Sequence, residues 1–366
     1  MIIIIRRFSF YAITSAIILL IAFVWIDMIL PETIEAMNNN QIENEILNMF
    51  DLRNNAILLN DAEALGQIYN HKTRLGVWAY EHELKRAKYL HKWSEKQGVR
   101  FNSIKTVIHK VRVREREGGY RINFAATTTY IYSYINDSEK TNLFRIGTYH
   151  SMDIVPAREK WLITREWYTD PFADSLNLDE IKSVQITNFI LSRNFENKSI
   201  SKRQQSAVEY ADKYCGAAAD ERYGIEYNSR YKNYNPLGGD CANFASQILF
   251  EGGKFKKNYT WNYDKEGSKA WVNAAAFKDY MLYSGRASLI AYGTYEKVYK
   301  AAFYLQPGDF VAYEKNGKVV HISVVTGWDS KGYPLVNSHN TDRYRVPWDL
   351  GWSNKDIKFW LVHVHF

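Results

Sequence analysis

A chain of 366 residues, 46% hydrophobic and 24% charged, is too apolar to be a disordered segment. With two cysteines it is too cysteine-poor for a disulfide-stapled scaffold. Its 47 Lys and Arg against 40 Asp and Glu leave a scattered +7, and without a dense basic run, zinc-finger spacing or glycine-rich phosphate loop, nucleic acid is not an expected partner.

In chain order, Arg6 and Arg7 precede an uncharged stretch from Phe8 to Ile26, and acidic residues (Asp27, Glu32, Glu35, Glu43, Glu45) follow it. At 1.5 Å per helical residue this run nearly spans a hydrocarbon layer of about 30 Å. The charge order places the head in the cytoplasm and the rest of the chain outside. The expectation is a signal-anchor helix at residues 1–30, in a single-pass protein of the cell membrane with its folded part extracellular. The alternative is a secreted chain cleaved after a signal peptide, but no small-x-small site follows the run.

Residues 38 to about 98 carry helical periodicity, from Ile42, Ile46, Met49 and Phe50 through Trp78–Trp93, and Gly98 closes them. From Ile104 the period becomes two. Gly118-Gly119 turns the chain into Tyr120–Ile135, and strands follow at Phe144–Ile154 and Lys160–Tyr168. Helices followed by an antiparallel meander predict an α+β accessory domain over 38–170. Its element order is similar to the nuclear-transport-factor-two-like cone. His71, His82, His91 and His109 share no ligand spacing and read as surface or satisfied histidines. Residues 171–202, rich in Asn, Ser and Lys, read as a linker with a helical turn or two.

The second domain, 203–366, opens with a helix over Arg203–Tyr214. In Tyr234-Asn235-Pro236-Leu237-Gly238-Gly239-Asp240-Cys241-Ala242-Asn243-Phe244-Ala245-Ser246-Gln247 the glycines break the chain and Asp240 reads as the N-cap of a new helix. Cys241 then falls in its first turn, where the helix dipole favours thiolate and free N–H groups face an oxyanion. The competing reading is a small buried hydrophobe, or a disulfide with Cys215. Trp261, Tyr263 and Trp271 follow and belong either to the core or to a substrate cleft.

Asn316-Gly317 is a hairpin turn, and beyond it His321 lies in a β-branched strand, a costly place for an imidazole without a partner. Asn337 and His339 share one face of the next strand, where a group orienting His321 belongs. His363 and His365 lack supporting ligand spacing, so no metal is expected, nor any cofactor.

Residues 203–366 resemble the bacterial “putative amidase domain”, a papain-like group related to cell-wall cysteine- and histidine-dependent amidohydrolases. The resemblance is carried by Tyr234-Asn235, the Gly239–Gln247 run, Gly252-Gly253, Pro307-Gly308-Asp309, His321 and Ser338-His339. It implies Cys241 as nucleophile, His321 as general base, His339 (alternatively Asn337) as third member, and Asn235, with Asp240, on the oxyanion and substrate side. Many members have Thr or Ser where Ala242 stands. The expected fold class is α+β: membrane anchor, helices with a curved antiparallel sheet, then a papain-like hydrolase domain. The expected function is an exported cysteine hydrolase acting on amide bonds of peptidoglycan stem peptides. The rivals are a silent papain-like scaffold, and a thiol hydrolase or transpeptidase acting on proteins or small amides.

Overall fold

A computed structural model of the protein describes residues 39–158, 160–172, 183–196 and 198–366. The expected anchor at residues 1–30 lies outside them, and no described helix is long and apolar enough to cross a membrane. The chain divides into units 1–49 and 50–366. What is described of the first is helical, the start of α1 (39–59).

In the second unit α2 (Ala62–Gly66) is capped by Asp61, whose side chain accepts the Ala64 N–H. The long α3 (Arg74–Gln97) starts at Thr73, which accepts the Gly76 N–H, and ends at Gly98 in the left-handed conformation, φ 71°. Ala79, Glu83, Arg86, Leu90, Trp93 and Gln97 recur at three- and four-residue spacing and form its buried stripe. Four antiparallel strands follow: β1 (Val99–Arg116), β2 (Gly119–Tyr134), β3 (Asp137–Ala157) and β4 (Lys160–Tyr168). The meander legible in the sequence is therefore present, with longer strands than the alternation alone marked.

Beyond it come α4 (Val184–Leu191), α5 (Lys202–Tyr214), α6 (Cys241–Gln247), α7 (Lys269–Val272) and α8 (Ala274–Tyr283). The chain ends in β5 (Ala287–Thr294), the short α9 (Tyr295–Val298), β6 (Phe310–Lys315), β7 (Lys318–Trp328), β8 (Pro334–Ser338), β9 (Asp342–Pro347) and β10 (Ile357–Val364). Ser201 and Gln204 form a reciprocal capping box at α5. Asn316 (φ 51°) and Gly317 (φ 74°) make the β6–β7 turn as expected. Trp261 and Trp271 are fully buried and Tyr263 nearly so, which settles them as core.

All ten strands belong to one sheet, ordered β1-β2-β3-β9-β8-β7-β6-β10-β5, with β4 on the rest of the free edge of β3. Arg145, Ile146 and Gly147 of β3 pair with Tyr344, Arg343 and Asp342 of β9. The segments 38–170 and 203–366 thus share a sheet, and they also share a core. One apolar cluster joins Trp93, Tyr132 and Phe144 to Tyr295, Tyr313, Trp348 and Phe359. The other face carries a second cluster, in which Ala211 of α5, Phe244 of α6 and Phe277 of α8 pack with Phe310, Ile322, Val324 and Val362. The expected linker is corrected in its described part: α4 buries Ile186 and Ile190 in the first cluster.

Residues 203–366 expressed alone would expose Tyr295, Tyr313, Trp348 and Phe359. At about 1.5–3 kcal/mol for each large side chain, that loss is comparable with a typical folding margin of about 5–15 kcal/mol. The fragment is expected to lack a cooperative transition in a urea titration followed by near-ultraviolet circular dichroism; a sharp transition would show that the shared core is dispensable.

Candidate active site

The loop before α6 makes a 3-10 turn over Asn235–Leu237 and delivers Asp240 and Cys241 to the helix start. Asp240 does not cap the helix with its side chain, contrary to expectation. Its Oδ1 accepts the Tyr234 N–H and Asn243 Nδ2, both at 2.9 Å, and its Oδ2 lies 2.6 Å from His339 Nδ1. The carboxylate is turned toward the loop and the end of a neighbouring strand, so it is a buried tie rather than a substrate contact.

Cys241 and Cys215 are both free and buried, so the disulfide alternative does not hold. Cys241 is 6% exposed. Burial pushes its thiol up to about 11, outweighing the Ile322 and Ala242 N–H groups that stabilise the thiolate. Cys241 thus stands in the first helical turn as expected, but burial overrides the helix dipole and the thiol is held protonated.

The Ile322 contact locates the sulfur in the sheet. β7 pairs with β6 along Lys318–Val324, but with β8 only from Val324 onward. The edge of β7 around Ile322 is left open on the β8 side, and α6 packs there. A register shift lies between Tyr313/His321 and Glu314/Val319. Ile322 faces the α6 cluster, whereas His321 faces the opposite side, against Tyr313 (5.5 Å) and stacked on Trp352 (5.1 Å between centroids, 24°). His321 is 3% exposed, and its Nε2 has no partner among the described residues. Burial, with the Arg343 charge second, lowers its pKa to about 3, so the imidazole is neutral at pH 7.

The two residues expected to orient His321 do not do so. His339 lies flat between Tyr227 and Phe244, both at 3.7 Å, with Nδ1 on Asp240 and Nε2 donating to the Tyr214 carbonyl at 2.7 Å. Asn337 donates to Asp212 Oδ1 at 3.0 Å, and its Oδ1 accepts Thr326 Oγ1 and the Arg345 N–H. Both side chains are engaged by other parts of the fold. Asn235 Nδ2 donates to Tyr227 Oη at 3.0 Å, which engages the expected oxyanion donor, while its Oδ1 is unpartnered among the described residues.

His321 opens instead onto a cavity of about 330 Å³, shared with Asp170, Asn340, Arg343 and Trp352. Asn340 (φ 68°) and Thr341 (φ 67°) hold consecutive left-handed conformations at its wall, a strained arrangement for a β-branched residue. Asn340 also closes onto the Cys241 loop: a Cβ on Gly239 would lie 2.6 Å from Asn340 Nδ2. The cavity and the Cys241 loop are thus neighbours, although Cys241 itself does not line the cavity. Among the described residues, no group of three or more His, Cys, Asp or Glu side chains is placed to hold a metal.

Residues 201–362 match the family model described as “Putative amidase domain”. That family is what this segment of the chain is similar to. The segment begins at the Ser201 capping box and ends in β10. Two proteins of Bacillus subtilis (strain 168) are similar to the chain. The uncharacterized protein YhbB is 29% identical over 44% of this chain and 47% of its own length. The uncharacterized protein YjcM is 30% identical over 51% of this chain and 45% of its own. The chain spans about half the length of these curated relatives. No solved structure matches it.

Within residues 201–362, sequence reasoning missed Arg343 and Trp352. Asp342-Arg343-Tyr344-Arg345 reads as a polar strand, and nothing in it tells which arginine is buried. The signal for Trp352 is its preceding Gly351, where a Cβ would collide with the Pro171 carbonyl and lie 2.7 Å from Arg343 Nη2.

Proposed function

We propose that the protein is an exported cysteine amidase of papain-like mechanism acting on peptide amides of the cell wall. The supporting observation is that the Cys241 sulfur sits at the amide of Ile322, one residue from a buried histidine whose Nε2 is unengaged and borders a cavity. With the thiol pushed up to about 11 and the imidazole down to about 3, the resting pair is neutral. Proton transfer from sulfur to imidazole then requires His321, which rests on the other side of β7, to come within reach of the sulfur as substrate enters. Sulfur bonds to the carbonyl carbon, the amine leaves with the proton from His321, and water cleaves the thioester to a carboxylic acid and the free thiol. Export and membrane attachment rest on the Arg6-Arg7 pair and the uncharged Phe8–Ile26 run.

The full chain and its Cys241→Ala variant, incubated with purified peptidoglycan under reducing conditions, test this by mass spectrometry of released fragments. New termini are expected with the intact cysteine alone, with at least about a 10³-fold loss of rate in the variant. If neither releases fragments while Cys241 is alkylated in a His321-dependent way, the substrate is another amide. An inert Cys241 would leave a scaffold.

A further inference from the structure

Three residues bordering the His321 cavity each carry a buried polar atom with no hydrogen-bond partner among the described residues: His321 Nε2, Arg343 Nε and Trp352 Nε1. Buried polar groups are nearly always paired, so such a convergence on one cavity marks a place built for a ligand.

The charges say which kind. Arg343 is 2% exposed, and its two Nη groups donate to backbone carbonyls, of Leu350 and, at 2.9 Å, Pro171. Among the described residues, no carboxylate lies within ion-pair distance of its guanidinium. Asp170 is the acid on the same cavity, but it is answered elsewhere: its Oδ1 accepts the Phe172 N–H at 2.8 Å, and its Oδ2 lies 3.0 Å from His82 Nε2. The Asp170 charge acts on Arg343 from the same cavity without forming an ion pair with it, and a buried arginine so weakly answered is expensive. Water in the cavity can satisfy the neutral donors, but it answers the charge poorly. Val320, 44% exposed, lines the rim, so the cavity is reachable from solvent.

We propose that this cavity is a subsite for a carboxylate of the substrate, with Arg343 Nε and Trp352 Nε1 as donors and the Arg343 guanidinium as counter-charge. The substrate class becomes amides bearing a free carboxylate near the scissile bond, such as the C-terminal end of a short peptide, rather than internal bonds of long chains. The assignment to substrate rests on the amidase reading; the anion site does not.

The test is equilibrium binding by calorimetry to the full chain carrying Cys241→Ala, which cannot turn over. The probes are N-acetyl-alanyl-alanine and its C-terminal amide. Roughly tenfold or greater preference for the acid is expected, disappearing in Arg343→Gln. Because Arg343 also ties Pro171 to Leu350, Trp352→Phe serves as the second variant: it removes the Nε1 donor, keeps the ring on His321, and is expected to reduce the preference about threefold. Equal affinity for acid and amide, or binding of neither up to about 10 mM, overturns the proposal. An acid preference in a protein whose intact form releases nothing from peptidoglycan would keep the anion site and remove the wall-amidase reading.

Discussion

Replacing Asp349 by alanine is expected to lower unfolding stability by about 3–5 kcal/mol, the loss typical when one partner of a buried ion pair is removed. Asp349 and Lys96 are both fully buried and paired. Asp349 Oδ1 also accepts Tyr333 Oη at 2.7 Å, and its Oδ2 accepts Trp93 Nε1 at 3.2 Å and Ser353 Oγ at 3.0 Å. Lys96 Nζ lies 3.7 Å from the centre of the Tyr295 ring. Trp93 and Lys96 belong to α3, whereas Tyr333, Asp349 and Ser353 come from residues 201–362, so this carboxylate pins the two segments together. In the variant an ammonium and an indole N–H are stranded in apolar surroundings. Urea midpoints at constant slope measure the loss. The double variant Lys96→Met, Asp349→Leu should recover most of it, because no orphaned charge remains. A single variant that unfolds at the parent midpoint would mean that the pair holds nothing.

The second large effect is acid lability from His321. Its pKa is held near 3 in the fold, against about 6.5 in an unfolded chain. As pH falls through 6.5 the unfolded chain binds a proton that the folded chain refuses, so stability present above that pH is lost progressively down to about 3. A tenfold difference in proton affinity between the two states is worth about 1.36 kcal/mol. The loss is then about 2–3 kcal/mol between about pH 7 and about pH 4.5, and at most about 4–5 kcal/mol over the whole range. His150, also lowered by burial, acts in the same direction; His82, raised by its bond to Asp170, acts in the opposite one. The discriminating measurement is therefore the difference between the parent chain and His321→Gln, in urea melts at the two pH values. The variant should lose less stability on acidification by the stated amount. Parallel curves would show that the imidazole is not desolvated as the fold implies.

What was legible in the sequence was local. Alternation in Ile104–Arg114, the turn at Asn316-Gly317 and the helix opening at Cys241 depend on neighbours a few residues away. The pairing of Arg145 with Tyr344 joins strands about 200 residues apart, and no periodicity reports it, so two segments that read as separate domains turned out to share a sheet and a core. The role of Asp240 was hidden for a similar reason. An N-cap and a buried tie call for the same residue type, and only the arrival of His339 from the end of β8 decides between them. The face of His321 hinged on one register shift in β7, because in a strand a displacement of one residue exchanges inside for outside. The burial of Arg343 was the least legible, since it depends on Pro171 and Leu350 arriving from elsewhere to accept its donors.

The paired left-handed residues at 340 and 341 have a consequence for anyone who engineers this protein. A β-branched threonine at φ 67° sits uphill by roughly 1–2 kcal/mol, so a screen for heat tolerance would reward glycine there first. That gain would come from the wall that Asn340 shares with the Cys241 loop, loosening the backbone between that loop and the His321 cavity. On the proposed amidase reading, thermal hardening and catalysis would then pull in opposite directions at a single position, and a library should hold Thr341 fixed while the rest of the chain is varied.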